Sequence, residues 1–186
     1  ELQPEVQERI AAIKHHLGIR SPSEKATPEE RAAFEARAAH SQAKMKERIE
    51  TAFREANEQT ASEMLRLAEG CVQGVRHIWS LELDFSPASL HLVDEIIHHG
   101  FAAEEDEETI EQAVVALGSY VGEVIRRWQG GTWRDVHFSG QPTLTAIGAQ
   151  RRELNPFQLI RQRLEYRQRP GPANLQATIE AALTVG

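Results

Sequence analysis

The chain has 186 residues, 40% of them hydrophobic and 26% charged, with a net charge of -7. That is the size and composition of one ordinary globular domain, or of one domain plus an appended helical arm, and it excludes collagen-like, mucin-like and wholly disordered classes. A single cysteine, Cys71, excludes an internal disulfide and a multi-cysteine zinc site, and the longest apolar stretch, Ala113 to Gly118, is far below the roughly 20 residues of a membrane span.

Along the chain the pattern is mainly helical. Residues 4–17 open with Pro4, which suits a first helical turn, and stop at Gly18, a natural C-cap. A loop over 20–26 leads to Thr27-Pro28-Glu29-Glu30, a hydroxyl N-cap with proline at N1 and a glutamate at N3 that closes a capping box. The helix that starts there runs to about Asn57. Between Arg31 and Lys44 its only large apolar side chain is Phe34, whereas Met45, Ile49, Ala52, Phe53 and Ala56 form a stripe. Thr60 and Glu63 repeat the capping-box spacing, so 28–75 is either two helices or one long bent one.

Ile78 to Phe85 changes period: Trp79, Leu81, Leu83 and Phe85 alternate with polar residues, which predicts a strand with one buried face. Ser86-Pro87 restarts a helix that ends at Gly100. Thr109 then caps the most regular helix, whose stripe runs from Ile110 through Leu117 and Val121 to Trp128 and marks it as the central core element. After Gly130-Gly131, residues 132–138 and 142–147 read as two short strands around a 139–141 turn. Asn155-Pro156 begins another amphipathic helix, Arg169-Pro170-Gly171-Pro172 breaks it, and Leu175, Ile179 and Leu183 mark a last one.

The expected fold is therefore α+β and helix-dominated: a small antiparallel sheet packed by amphipathic helices, with a long N-terminal helical arm. We place a helical region or arm at 1–75 and an α+β core domain at 76–186.

The charge is unevenly spread. Residues 101–125 hold seven acids and no base, while 126–169 hold nine arginines against three acids. Such blocks can pair with each other, or the basic one can attract anions. Trp128, Trp133, Phe138, Phe157 and Tyr166 interleave with the arginines, as nucleic-acid binders require, but most of them fall on stripes that a core would claim, and lysine is absent there. We expect internal pairing or a protein interface rather than nucleic acid.

Few residues suggest chemistry. His91, Glu95 and His98 share one polar helix face at spacings of four and three, which is half of a carboxylate-bridged di-metal pattern. A divalent transition metal there would need a further ligand such as His77, His99 or His137, and a solvated face explains the same residues. His15-His16 and His98-His99 sit where helix C-termini favour cations. Cys71 lacks a C-x-x-C partner and reads as a small core residue. No nucleophile elbow, P-loop or dinucleotide fingerprint occurs.

The most specific pattern is Leu117-Gly118-Ser119-Tyr120-Val121-Gly122-Glu123-Val124-Ile125-Arg126-Arg127, followed by Gly130-Gly131-Thr132-Trp133. Together with Asp84-Phe85-Ser86-Pro87-Ala88-Ser89-Leu90 upstream and Asn155-Pro156-Phe157 downstream, it resembles the L-G-x-Y-x-G-E-x-[IVL]-R-R…G-G-x-W signature of an uncharacterised bacterial domain-of-unknown-function family, over about residues 80–170. The resemblance implies a fold and a bacterial source, and no particular activity. From the residues themselves, Gly118 and Gly122 each cost the helix about 1 kcal/mol against alanine, which implies close approach of a backbone or ligand. Glu123 and Arg127 are an i,i+4 pair; with Trp133 they either form an exposed ion pair or line a ligand or partner pocket.

Function is expected to be non-enzymatic: a bacterial cytoplasmic binding or protein-interaction domain that contacts a partner or itself through the 28–57 helix, without cofactor or membrane. An immunity-type or regulatory partner protein is one version. The alternative is a metal-dependent hydrolase or oxidase using His91, Glu95 and His98. Metal content separates the two, and light scattering with and without residues 1–57 tests the arm.

Overall fold

The computed structural model describes residues 27–102, 104–135, 141–166 and 174–184. The expected helix over 4–17, the loop over 20–26, the His15-His16 pair, the end of the 132–138 strand, most of the 139–141 turn and the 169–172 break lie outside the described residues. The chain divides into two compact units, Glu1–Thr51 and Ala52–Gly186.

Helix α1 is one continuous element, Pro28–Trp79. Its start is the predicted capping box: the Glu30 amide donates to Thr27 Oγ1 at 3.2 Å and the Thr27 amide donates to Glu30 Oε2 at 2.8 Å. The second box, at Thr60, does not form, because the Thr60 hydroxyl donates to the Ala56 carbonyl one turn back at 2.9 Å. A hydroxyl bonded in that direction leaves the helix uninterrupted. The 75/76 boundary therefore falls inside a helix.

In the first unit, Phe34, Met45 and Ile49 of α1 are exposed, and Lys46 pairs with Glu50 at 3.7 Å. In the second unit the same helix buries Met64, Ala68, Cys71 and Val75, the i, i+4, i+7, i+11 pattern of a helix with one face on a core.

The second unit is built around the central helix, here α3 (Glu107–Gln129), which is buried without interruption from Leu117 to Ile125. Its N-cap is Asp106 rather than Thr109: the Asp106 carboxylate accepts both the Thr109 amide and the Thr109 hydroxyl at 2.8 Å. A carboxylate accepts more strongly than a hydroxyl and also favours the positive end of the helix, so the acidic run continues into the first helical turn.

Before it, a 3₁₀ turn (Pro87–Ser89) leads into α2 (Leu90–His99). After it come β1 (Thr132–Arg134), β2 (Thr143–Ile147), β3 (Arg152–Leu154), α4 (Pro156–Glu165) and α5 (Leu175–Thr184). The sheet is antiparallel in the order β1-β2-β3, with Trp133 opposite Leu144 and Leu144 opposite Leu154. The expected architecture, helix-dominated α+β with a small antiparallel sheet and a long N-terminal helix, is the one observed.

The predicted strand at Ile78–Phe85 is a correction. Ile78 and Trp79 close α1, and the residues after them join no sheet. Leu83 is buried and Leu81 and Phe85 are half-buried, so the alternation reports a one-sided apolar contact. Among the described residues no strand pairs with it to turn that contact into a ladder. The sequence pattern also missed β3, whose three residues are too few to show a period; it pairs through a turn with Gly148 and Arg151 both at positive φ.

Candidate functional site

The four sequence segments of the signature meet around α3. A Cβ on Gly118 would lie 2.7 Å from Phe157 Cδ1 and 3.1 Å from Phe157 Cα. On Gly122 it would lie 2.3 Å from Trp133 Cη2 and 3.2 Å from Pro156 Cγ. The two glycines are thus the seats of the N-P-F turn and of the tryptophan. From the other side, the Phe85 amide donates to Tyr120 Oη at 3.0 Å, and Tyr120 Oη also bonds Ser89 Oγ, whose hydroxyl reaches the Ser86 carbonyl at 2.7 Å. Tyr120 holds the D-F-S-P-x-S-L segment to the helix.

Glu123, Arg127 and Trp133 are brought together as the sequence suggested, but the arrangement is closed. Glu123 is 0% exposed, and so is Trp133. Trp133 Nε1 donates to Glu123 Oε1 at 2.8 Å, and Arg126 donates to both carboxylate oxygens at 2.8 Å. Arg126, at i+3, is the main partner, while Arg127 Nε stands 3.8 Å from Oε2 and its guanidinium lies 3.8 Å over the Phe85 ring. Burial alone would raise the Glu123 pKa; the bonds from Arg126 and Trp133 and the charges of Arg126 and Arg127 outweigh it and hold the carboxyl below its ordinary value. A buried carboxylate with its lone pairs engaged is a structural joint between helix and sheet.

The helical His91, Glu95 and His98 set does not converge. Glu95 pairs with His99 at 3.3 Å, His98 packs edge-on against His99, and His91 Nδ1 bonds the Ala88 carbonyl of the preceding turn. Among the described residues no three His, Cys, Asp or Glu side chains are placed to hold a metal ion. Cys71 is buried, and burial pushes its thiol up to about 12.

The two charge blocks meet at Glu111 with Arg161 and, within α3, at Glu123 with Arg126. Arg161 of α4 bonds Glu111 of α3, with Nη2 to Oε2 at 2.6 Å. Arg163 bonds Asp94 of α2 at 2.8 Å, and the other oxygen of Asp94 takes the Leu175 amide that opens α5 at 2.7 Å. Of the interleaved aromatics, Trp133 and Phe157 are buried, which removes them as stacking surfaces for bases.

What remains open is apolar. Met45 and Ile49 of α1 are 58% and 48% exposed. Phe53, also on α1, is 54% exposed. In the second unit the C-terminal part of α1 and the face of α3 bound a groove of about 570 Å³, with Leu67, Gly70, Gly74 and Ile78 along one wall and Val115 and Ala116 along the other. Nothing stands within 4 Å of a Cβ placed on Gly70 or Gly74, and Ile78 is 65% exposed. Sequence reasoning found the stripe at 45–56; it missed the groove, for which the four-residue spacing of Gly70 and Gly74 was the available signal.

Among the described residues no helix is long and apolar enough to cross a membrane. No family model, no curated protein and no solved structure matches the chain.

Proposed function

We propose that this chain is a protein-interaction domain, acting in the bacterial cytoplasm, whose docking surface is the apolar face of α1. The observation that carries this reading is the exposure of Met45, Ile49 and Phe53 on a helix that buries Met64, Ala68, Cys71 and Val75 in a core. Large aliphatic and aromatic side chains at four-residue steps are the anchors by which a helix seats in a groove, and a cluster of them left in water favours association. The buried, self-paired state of Glu123 and Trp133 directs attention away from a small-molecule site at the signature. A regulatory or immunity-type role, in which the domain covers a surface of another protein, is consistent with such a face.

The test compares the full chain with its Met45→Glu/Ile49→Glu variant. Both positions are exposed, so the variant folds, as circular dichroism will show. Immobilised wild type is expected to retain a bound species, its own copy or another protein, that the variant loses. Equal retention by both proteins refutes the reading.

A further inference from the structure

The groove between the C-terminal part of α1 and α3 lies wholly within the second unit. Phe157 and Trp133 pack on Gly118 and Gly122, but a Cβ on Gly70 or Gly74 would meet nothing within 4 Å. Glycine weakens a helix interior relative to alanine, so these two, one turn apart, leave a recess in α1 that no group of this chain occupies. Large apolar side chains stand around it. Ile78 is 65% exposed, Trp79 37% and Val115 38%, and all three line the groove with Leu67 and Ala116. From Leu67 to Ile78 the α1 wall runs about 17 Å at 1.5 Å per residue, about three turns of a helix.

The charges around the groove have one sign left over. Its lining holds Arg66 and Glu111, and each is taken within the chain: Arg66 by Glu63 at 2.9 and 2.6 Å, and Glu111 by Arg161 at 2.6 Å. From Glu63 to Gln112 the only arginines are Arg66 and Arg76, there is no lysine, and Arg76 bonds Glu82 at 3.0 Å. Arg163 holds Asp94, and Glu95 pairs with His99. Glu69, Asp84 and the run from Glu104 to Glu108 have no arginine or lysine of this stretch to pair with. That run adjoins the groove. Glu105 accepts the Ala102 amide at 2.9 Å, next to the groove residue Phe101, and Glu108 accepts from the groove residue Gln112 at 3.3 Å. Asp106 caps α3. These donors are neutral, so the negative charges stand.

We propose that this groove seats a basic amphipathic helix of another protein. Large aliphatic or aromatic anchors at three- and four-residue steps enter over Gly70 and Gly74, and Lys or Arg beside them face Glu105 and Glu108 at the α3 end. The apolar recess gives the contact its affinity, and the acidic end selects the partner and its orientation. A second copy seated through the same groove brings the same acidic run with it, and an uncharged apolar molecule makes no use of that run. The groove shares no residue with the Met45, Ile49 and Phe53 face, so the inference stands apart from the role proposed for that face.

The test titrates the full chain into two fluorescently labelled synthetic helices of about 18 residues, long enough to span the groove. Both carry one leucine stripe; the polar face is lysine in the first and glutamate in the second. Fluorescence anisotropy is expected to show the lysine peptide bound about tenfold more tightly or better, with the advantage shrinking as salt is raised. Gly70→Leu/Gly74→Leu fills the recess; it is expected to keep the wild-type helicity and to lose about tenfold or more in affinity for the lysine peptide. Val115→Ser on the opposite wall is expected to weaken the same peptide, and Glu105→Gln/Glu108→Gln to weaken it about three- to tenfold with a flatter salt dependence. Met45→Glu/Ile49→Glu is expected to bind it as wild type does. Equal affinity for the two peptides, undiminished binding by the filled variant, or loss of binding in Met45→Glu/Ile49→Glu overturns the inference. So does a wild-type dimer in light scattering that Gly70→Leu/Gly74→Leu turns into a monomer, which assigns the groove to a second copy.

Discussion

Replacing Gly122 by alanine sets two effects of opposite sign against each other. In a helix interior alanine is favoured over glycine by about 1 kcal/mol, so propensity alone predicts a more stable protein. The new Cβ, however, would stand 2.3 and 2.4 Å from Trp133 Cη2 and Cζ2. Carbon atoms pack best at about 3.5–4.0 Å, so something must give by about 1.2 Å. The indole is fully buried, lies 6.2 Å from the Phe157 ring and donates to Glu123, which leaves it little freedom. Overpacking of this kind costs about 1–3 kcal/mol, and if the indole turns away instead, Glu123 loses a buried donor at a similar cost.

We therefore expect a net loss of about 1 kcal/mol, read as a fall of about 0.5 M in the urea midpoint at unchanged slope. The decisive control is the same substitution in a Trp133→Phe background, where the offending ring atoms are missing. There Gly122→Ala should cost less than in wild type by about 1 kcal/mol or more. A Gly122→Ala protein as stable as wild type, or an equal cost in both backgrounds, would refute the close-approach account of the signature glycine.

Three further outcomes follow from the geometry. The Glu123 pKa is held down in the folded protein, so its stabilising effect is complete above the unfolded value of about 4.3 and fades as pH falls through the folded one; the urea midpoint should drop below about pH 4.5, less so in Glu123→Gln, and a flat profile from pH 6 to 3 would contradict this. Cys71, with its thiol near 12, is about one part in 10⁴ thiolate at pH 8 and should react with a thiol reagent only as the fold opens; stoichiometric labelling of native protein within seconds would disprove the burial. Tyr120→Phe removes the acceptor of the Phe85 amide and the partner of Ser89, and should destabilise by about 1–3 kcal/mol in thermal unfolding; a change under about 0.5 kcal/mol would mean that segment 84–90 is held by packing alone.

Much of the fold was legible because single-helix physics decides it. The Thr27 capping box and the stripes of α1, α3 and α4 depend on residues three and four apart, which a sequence displays directly. Legibility failed where the outcome depended on a distant neighbour. The 78–85 alternation looks like a strand, but a strand exists only if another chain segment offers a ladder. Asp106 displaced Thr109 as cap because both residues fit the spacing and the stronger acceptor won. At the candidate site, Glu123, Arg127 and Trp133 were found together, yet their burial was hidden: an i,i+4 acid-base pair looks alike on a surface and under a sheet. The glycines Gly118 and Gly122 announced close approach, but not whether an indole or a ligand approached. Only the three-dimensional arrangement shows that it is Trp133 and Phe157.

Asp94 has a consequence for the order in which this molecule assembles. Helix α5 has ten residues, fewer than the roughly 12–15 that make an isolated helix even marginally stable in water. Asn174 supplies a local cap to the Ala177 amide, but the Leu175 amide finds its acceptor on Asp94, 81 residues earlier, whose other oxygen accepts from Arg163 of α4. The C-terminal helix thus depends on α2 for the acceptor of its first amide. It should be the last element to gain protection when amide exchange is followed through refolding, and the first to lose it as the native state begins to open.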